Sequence, residues 1–379
     1  MTANGTVAWT GRGGSPHVLT RSPAAPAGGR GRALVRLLFR CGILGLAHRL
    51  WPRRLTVLAY HRITDPRDPS FEGLVANVSA TPEQFAAQLD LLSRWCNVVS
   101  LDLVLDWLAG RAKLPPYPAL ITFDDGYRDN HDQALPALRA RDLPAVLFLA
   151  TGCVGNPEPF FWDLAAYCFA RTRRNEAELP LLGHRSWHGS AAREQVLHEW
   201  LGLAKQRHVD EIGGLTEALR LALEVEPPGD AFAAHHCGWE QVRSLARAGV
   251  AIEAHTHAHV ILSRVPPERA HEEARRSRSC IEAALGTHVR AFAYPNGLAE
   301  DYREEDVAML RREGFAAAFV LTDGPTGLRA ARHRPFEIRR ILVTHQDDLS
   351  SFAAAIVGLT RLVRWSRQGR DKLFSRAAR

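Results

Sequence analysis

The stretch ITFDDGYRDN, residues 121–130, places a short apolar run directly before two adjacent carboxylates and a glycine. The run begins upstream as PALITF at residue 118, and its composition predicts a buried strand. Asp and Gly are common turn residues, so Asp124 and Asp125 alone would indicate only a solvated turn. Whether the two aspartates have a catalytic or ligand role depends on which groups the other segments of the chain supply beside them.

Similar apolar runs recur along the chain and alternate with longer amphipathic stretches. We predict buried strands at LTVLAYH (55–61), PALITF (118–123), PAVLFLA (144–150), GVAIEAH (249–255), RAFAYP (290–295) and GFAAAFVL (314–321). Strands that alternate with helices indicate an α/β fold with a parallel sheet, either open or closed into a barrel.

Two of the amphipathic stretches carry clear helix signals. TPEQFAAQLDLLSRW opens with Thr81 as N-cap, and Gln84 stands where a capping box requires it. PPERAHEEARRSRSCIEAALG begins with prolines and ends at Gly286, as helices often do. Residues 161–236 break the alternation with sequence rich in Trp, Arg and Leu, and we predict a helical insertion there that covers one side of the domain.

The charge of the 379-residue chain is unevenly distributed. The chain carries +7 in total, with +9 on residues 1–54, +6 on residues 361–379 and −8 on the residues between them. A nucleic-acid-binding protein usually has its basic surface on the folded domain, so this pattern argues against a nucleic-acid partner. The six cysteines show no CxxC spacing, which indicates small core residues in a reducing compartment rather than disulfides or a zinc cluster.

Both basic ends contain apolar residues. The first thirty or so residues have a composition typical of disorder and lack an early apolar segment typical of a cleavable signal peptide. Residues 32–54 are apolar but too charged to span a bilayer. These residues and residues 360–376 could lie on an anionic membrane surface. A helix packed on the domain, followed by a frayed basic tail, explains them equally well.

Three segments with side chains suited to catalysis or metal binding lie at the ends of predicted strands. In parallel α/β folds, functional side chains collect at the carboxyl ends of strands. Asp124 and Asp125, the HTHAH segment with His255, His257 and His259, and the YPNG segment (294–297) all lie at such ends. One carboxylate and two neutral imidazoles suit Zn²⁺ or another divalent transition metal. The second carboxylate could then remove a proton from an attacking water. The same three ligands also form the iron site of non-haem oxygenases, in which a second aspartate has no role.

The segments TFDDGY, HTHAH and RAFAYPNG, in this order and at these separations, resemble the three main motifs of the polysaccharide deacetylases, the NodB-homology carbohydrate esterases. VLAYHRI, TPEQFAAQLDLL, LPAVLFLATG, FFWD and RRILV further resemble the exopolysaccharide-type branch of that family. The resemblance covers roughly residues 55–350. It implies an irregular (β/α) barrel resembling a TIM barrel, with the insertion at 161–236 and basic extensions at residues 1–54 and 351–379.

The resemblance also implies residue roles. It makes Asp124 the general base and Asp125, His255 and His259 the ligands of a divalent metal, with zinc expected first. His257, between the two liganding histidines, occupies a position that the family leaves variable.

The third motif and the remaining histidines complete the prediction. Asn296 would supply a backbone N–H to the developing oxyanion, and Tyr294 and Pro295 would line the substrate groove. Arg290 would orient Asp124, unless it is an ordinary arginine at the start of a strand. His345 is the nearest candidate for the general acid, but its surroundings resemble the branch that lacks the family's late histidine motif. His61 is a rival for a role in the cleft, and hydrogen bonds to the neighbouring backbone explain this histidine equally well.

The leading prediction is a bacterial, metal-dependent hydrolase that removes N- or O-acetyl groups from an exopolysaccharide or a lipid-linked glycan. We expect it in the cytoplasm or peripherally at the inner membrane. A glycan-binding member without catalysis, a hydrolase of small cyclic amides and a non-haem iron oxygenase are the alternatives.

Overall fold

The computed structural model describes residues 29–359. The predictions for residues 1–28 and for the basic tail, residues 360–379, lie outside this range. Between Gly29 and Leu359, no helix is both long and apolar enough to cross a membrane.

The strands and helices alternate along most of the described chain. The strands are β1 (Arg54–Tyr60), β2 (Arg62–Ile63), β3 (Val78–Ala80), β4 (Asn97–Val98), β5 (Pro118–Asp125), β6 (Ala145–Leu149), β7 (Glu176–Leu179), β8 (Gly183–Ser186), β9 (Val250–Ala254), β10 (Ala291–Ala293), β11 (Ala317–Val320), β12 (Thr326–Gly327), β13 (Ile338–Arg339) and β14 (Ile341–Leu342). The helices are α1 (Gly29–Arg40), α2 (Ile43–Arg49), α3 (Pro82–Trp95), α4 (Leu101–Leu108), α5 (Leu135–Arg139), α6 (Phe161–Arg171), α7 (Gly189–Ala204), α8 (Val209–Ala222), α9 (Trp239–Arg247), α10 (Pro267–Leu285), α11 (Glu304–Arg312), α12 (Leu328–His333) and α13 (Leu349–Val357).

The central sheet curls into a nearly closed parallel barrel. Strands β1, β5, β6, β9, β10 and β11 lie side by side in that order. The segment 338–342 then bridges the two ends, because β13 pairs with β11 and β14 pairs with β1, both in parallel. Arg340 lies between these two short strands, with its side chain buried. The irregular (β/α) barrel is thus confirmed.

Alternate residues of the strands enter two different hydrophobic clusters. In β1, Leu55 and Val57 join one cluster that also contains Phe148 and Phe319. Leu58 and Tyr60 of the same strand join the larger cluster, to which the surrounding helices contribute. This alternation follows from the two-residue period of a strand, and it buries every barrel strand on both faces.

All six predicted strands are present, with one difference that bears on function. β5 continues through Asp124 and Asp125, which pair in register with Phe148 and Leu149 of β6. The two carboxylates therefore belong to the end of the strand and not to a solvated turn. The predicted capping box of α3 is also confirmed, since the Thr81 side chain accepts from the Gln84 N–H and the Gln84 side chain from the Thr81 N–H.

The predicted helical insertion, 161–236, contains α6, α7 and α8, and also an antiparallel hairpin of β7 and β8 that the prediction missed. The hairpin strands are only four residues long, which makes their pattern hard to recognise. The insertion has its own hydrophobic cluster, which includes the fully buried Trp187 and Trp200.

Candidate active site

Three of the predicted site residues meet at the carboxyl ends of β5 and β9. The Asp125 Oδ1 lies 3.5 Å from the His255 Nε2 and 3.2 Å from the His259 Nε2. One ligand atom from each residue lies within 4.8 Å of those of the other two. The structure therefore brings the predicted ligand set together.

The backbone around this cluster adopts an unusual conformation. Asp125, Thr256, His259 and Asn296 have φ values of 77°, 63°, 53° and 57°. Non-glycine residues rarely adopt positive φ, and such strain concentrates at functional sites. Half of the eight non-glycine residues of this kind between Gly29 and Leu359 lie at this rim of the barrel.

The hydrogen bonds around the cluster fit a divalent metal. The Nδ1 of His255 is hydrogen-bonded to the Ala293 carbonyl at 2.8 Å, which orients the ring so that its Nε2 faces Asp125 and is the nitrogen available to a metal. The buried Oδ1 of Asp125 has no hydrogen-bond partner among the described residues. A carboxylate and two imidazoles with free lone pairs are suitable ligands for zinc.

The charge states agree with this donor set. Burial alone would raise the pKa of Asp125, but His255 and His259 hold that pKa well below its ordinary value. Burial lowers the pKa of His259, and the opposing effect of Asp125 does not cancel this shift. The site at neutral pH thus offers an ionised carboxylate beside a neutral His259.

The second carboxylate, Asp124, is held by an arginine that the prediction did not identify. The Nη1 of Arg340 donates to the Asp124 Oδ1 at 2.6 Å, and both side chains are almost fully buried. Burial alone would raise the pKa of Asp124, but the charge of Arg340, together with His255 and His61, keeps it below the ordinary value. Asp124 is therefore ionised and fixed in place.

The prediction that Arg290 orients Asp124 is wrong. Arg290 precedes β10, and its guanidinium pairs with Asp102 at the start of α4. A residue before a parallel strand lies at the opposite rim from the strand ends that carry the site. Arg340 reaches Asp124 because it lies in the segment that closes the barrel.

The two remaining histidine candidates, His61 and His345, occupy different places. The His61 Nε2 lies 4.0 Å from the Asp124 Oδ2, and its side chain is partly accessible. The His345 Nδ1 instead donates to the Val78 carbonyl at 3.1 Å. His61 is thus next to the proposed base, whereas the imidazole of His345 is hydrogen-bonded to the main chain of β3.

The third motif forms the neighbouring part of the rim. Asn296 has a left-handed backbone, and its N–H donates to no acceptor in the part of the chain that the structure describes. Its side-chain Oδ1 accepts from the Lys205 Nζ at 3.5 Å. A free N–H at this position is compatible with the predicted oxyanion donor.

Tyr294 does not line the cleft, contrary to the prediction. Its ring is fully buried and stacks on Tyr302, with centroids 4.3 Å apart. The alternation along β10 explains this, since Ala293 faces the barrel interior and Tyr294 faces the helices. Pro295 is buried as well. His257 is hydrogen-bonded to the Thr151 Oγ1 at 2.9 Å and does not join the ligand cluster.

The sequence analysis missed an aromatic wall beside the ligands. The rings of Phe160 and Trp162 meet the His259 ring edge to face, with centroids 5.4 and 4.8 Å apart. His236 packs on Phe160 as well, and burial lowers its pKa to about 4. The FFWD segment was the available signal, because its aromatics begin the insertion directly after a strand and loop of the barrel.

Asp163, from the same segment, ties the insertion to the end of β5. This buried carboxylate accepts from the Tyr127 hydroxyl at 2.8 Å, the His235 Nε2 at 3.0 Å and the Leu74 N–H at 2.8 Å. Tyr127 lies two residues after Asp125, so this network fixes the aromatic wall relative to the ligands.

Comparison with known proteins identifies the family. The family model described as polysaccharide deacetylase matches residues 111–316. A Bacillus subtilis (strain 168) protein, YxkH, whose name assigns it to the polysaccharide deacetylases, is 21% identical over 238 residues, which are 62% of this chain and 55% of the relative. The chain thus spans about half the length of that curated relative.

Two solved structures share the fold. The deacetylase PplD of Streptococcus pyogenes, in complex with acetate, has a TM-score of 0.52 at 16% identity over 80% of this chain and 99% of its own. IcaB from Ammonifex degensii has a TM-score of 0.50 at 22% identity over 80% of this chain and 97% of its own. With a family model that matches more than half of its residues and a barrel shared with these proteins, the chain belongs to the polysaccharide deacetylase family.

Proposed function

We propose that this protein is a metal-dependent hydrolase that removes acetyl groups from a glycan. The observation that carries the proposal is the pairing of two carboxylates with different surroundings. Asp125 faces two imidazoles and suits a metal, whereas Asp124 faces Arg340 and suits proton transfer. A non-haem iron oxygenase would need only the first of these carboxylates.

The residues of the site have separate roles in the proposed reaction, namely metal binding and proton transfer. Asp125, His255 and His259 would hold the metal, most suitably zinc, which when bound polarises the acyl oxygen and lowers the pKa of water. Asp124 takes one proton from the attacking water as the water oxygen bonds to the acyl carbon. Arg340 keeps Asp124 ionised before this step, since it stabilises the carboxylate form.

The remaining groups complete the hydrolysis. The bond from the acyl carbon to the sugar nitrogen or oxygen breaks, and the leaving atom receives a proton. His61 is better placed than His345 to supply it, because His61 lies beside Asp124 at the rim. The Asn296 N–H donates to the negative charge that develops on the acyl oxygen.

We propose an acetylated polysaccharide or lipid-linked glycan of the bacterial envelope as the substrate, on the basis of family membership and of the N-terminal surface. Among the described residues, eight large hydrophobic side chains are exposed, and six of them lie on or next to α1 and α2. These six, between 44% and 65% exposed, are Leu34, Leu37, Ile43, Leu46, Leu50 and Trp51.

This surface fits the interface of an anionic membrane. The apolar side chains alternate with arginines such as Arg40 and Arg49, whereas Arg36 pairs with Asp348. Residues 1–54 contain no acidic residue. Helices with this composition lie in the plane of a membrane, with apolar side chains inward and basic ones toward the headgroups. A peripheral position at the inner membrane would bring the barrel near lipid-linked glycans.

Acetate release from a panel of acetylated glycans and lipid-linked precursors, with and without added divalent metal, tests the function. We expect release that requires metal. Glycan binding without any release would indicate a non-catalytic member, and release from a small cyclic amide alone would contradict the glycan proposal.

A further inference from the structure

Lys205 brings a positive charge from the insertion to the candidate active site. It is the C-cap residue of α7, and its Nζ lies 3.5 Å from the Asn296 Oδ1. The same Nζ lies 6.0 Å from the centroid of the Trp162 ring, which contacts the His259 ring. The ammonium therefore lies between the aromatic wall and the third motif.

The ammonium has bonding capacity that the protein does not use. A lysine has three N–H donors, and the contact with Asn296 is long for a hydrogen bond. Throughout residues 29–359, no carboxylate forms a salt bridge with Lys205. Burial lowers the pKa of Lys205, and the charges of Asp301 and Asp125 oppose this shift without cancelling it. Since Lys205 is partly buried, an anionic ligand group would be a favourable partner.

The residue type is also unusual for this chain. Of 48 lysines and arginines in the sequence, only Lys113, Lys205 and Lys372 are lysines. An ammonium is a compact point charge that can approach a single oxygen atom, whereas the planar guanidinium matches two oxygens of a carboxylate or phosphate. A lysine at this position thus suits one small, charged oxygen.

We propose that Lys205 is a catalytic residue of the deacetylation, in which its ammonium and the Asn296 N–H together stabilise the oxyanion that forms from the acyl oxygen. This proposal rests on the proposed function. No proton moves at Lys205. The carbonyl double bond becomes a single bond with negative charge on oxygen, and the charge returns to the carbon–oxygen double bond when the leaving group departs. Because the charge is larger in the transition state than in the substrate, Lys205 acts mainly on kcat.

The variants Lys205→Met and Lys205→Arg test this role, with Lys113→Met as the control because Lys113 is exposed. For each variant, we would measure metal content, thermal unfolding, kcat and KM for acetate release. Loss of one oxyanion donor costs a factor of about 10²–10³ in kcat. We expect a loss of this size in Lys205→Met at unchanged metal content and nearly unchanged KM, with partial recovery in Lys205→Arg and none of these effects in Lys113→Met.

Acetate binding gives a second readout that needs no turnover. Acetate, the product, carries negative charge on the oxygen that Lys205 would contact, so calorimetry should show weaker acetate binding to metal-loaded Lys205→Met than to wild type. An unchanged kcat in Lys205→Met would overturn the proposal. If KM rises while kcat stays unchanged, Lys205 binds an anionic part of the substrate instead. If wild type releases no acetate from any substrate, the proposed function fails, and equal acetate affinity in the two proteins would then also overturn the role of Lys205.

Discussion

Replacing each of the two adjacent aspartates by asparagine should produce two different defects. In Asp125→Asn, the oxygen that faces two imidazoles at 3.2 and 3.5 Å loses its negative charge. Structural zinc is held by about 10–16 kcal/mol, which is about 2.5–4 kcal/mol for each of four ligands. Loss of this ligand should therefore weaken metal binding by a factor of about 10²–10³, and activity should fall with metal content.

In Asp124→Asn, the metal should stay and turnover should fail. An amide can still accept the hydrogen bond from Arg340 at this position, but it cannot take a proton from water. Removal of a general base typically costs a factor of about 10²–10⁴ in rate, and binding of uncleaved substrate should change little. The change also leaves the buried Arg340 without its counter-charge, so thermal unfolding must confirm that the variant is folded at the assay temperature.

The assay compares bound metal by elemental analysis with acetate release at saturating substrate. The exposed Asp106, which pairs with Arg111, provides the control variant Asp106→Asn. Near-normal turnover in a folded Asp124→Asn would refute the general base. Full metal occupancy in Asp125→Asn at limiting metal would refute the ligand assignment.

Further variants test the surroundings of the site and the fold. Arg340→Gln should raise the pKa of Asp124, so the acidic limb of the pH–rate profile should shift to higher pH than in wild type. Arg290→Gln should leave the profile unchanged. A shift in Arg290→Gln and none in Arg340→Gln would instead identify Arg290 as the partner of Asp124. Burial raises the pKa of Glu253 to about 7, so the folded state keeps a proton that the unfolded state releases above about pH 4.5. Stability should thus fall as pH rises from about 4.5 to 7, by at most about 3 kcal/mol, and chemical denaturation of Glu253→Gln should show a flatter dependence. Leu46→Glu and Trp51→Glu should weaken sedimentation of the protein with anionic vesicles without lowering its melting temperature. Equal binding of wild type to neutral and anionic vesicles would contradict the membrane proposal, and so would variants that bind vesicles normally but disrupt self-association of the protein.

Much of the barrel could be predicted because its signals are local. The apolar runs, the capping box at Thr81 and the stop at Gly286 each depend on residues close in sequence, and all are present in the structure. The same holds for the ligands. Side chains that follow parallel strands must converge at one rim, so the two aspartates after β5 and the histidines after β9 could be placed together from the sequence. The family resemblance then selected Asp125, His255 and His259 among them.

The partners of these residues depended on contacts between distant segments. Arg340 lies 216 positions from Asp124, and it reaches the carboxylate because the short segment between β13 and β14 closes the barrel. The location of Arg290 could have been deduced, since a residue before its strand lies at the opposite rim.

The sequence by itself determined six strands of the barrel and the bounds of α3 and α10, because these depend on short-range periodicity and on capping residues. The direction of parallel strands brought the Asp and His segments to one rim, and the family resemblance then identified the three candidate ligands. Only the tertiary structure decided that Arg340 pairs with Asp124, that Tyr294 faces the helices, and that Lys205 reaches Asn296 from a position 91 residues away. The insertion that carries Lys205 is attached to the rim by the buried contact of Asp163 with Tyr127. No local pattern encodes such a contact, because it arises only when separate elements pack against one another.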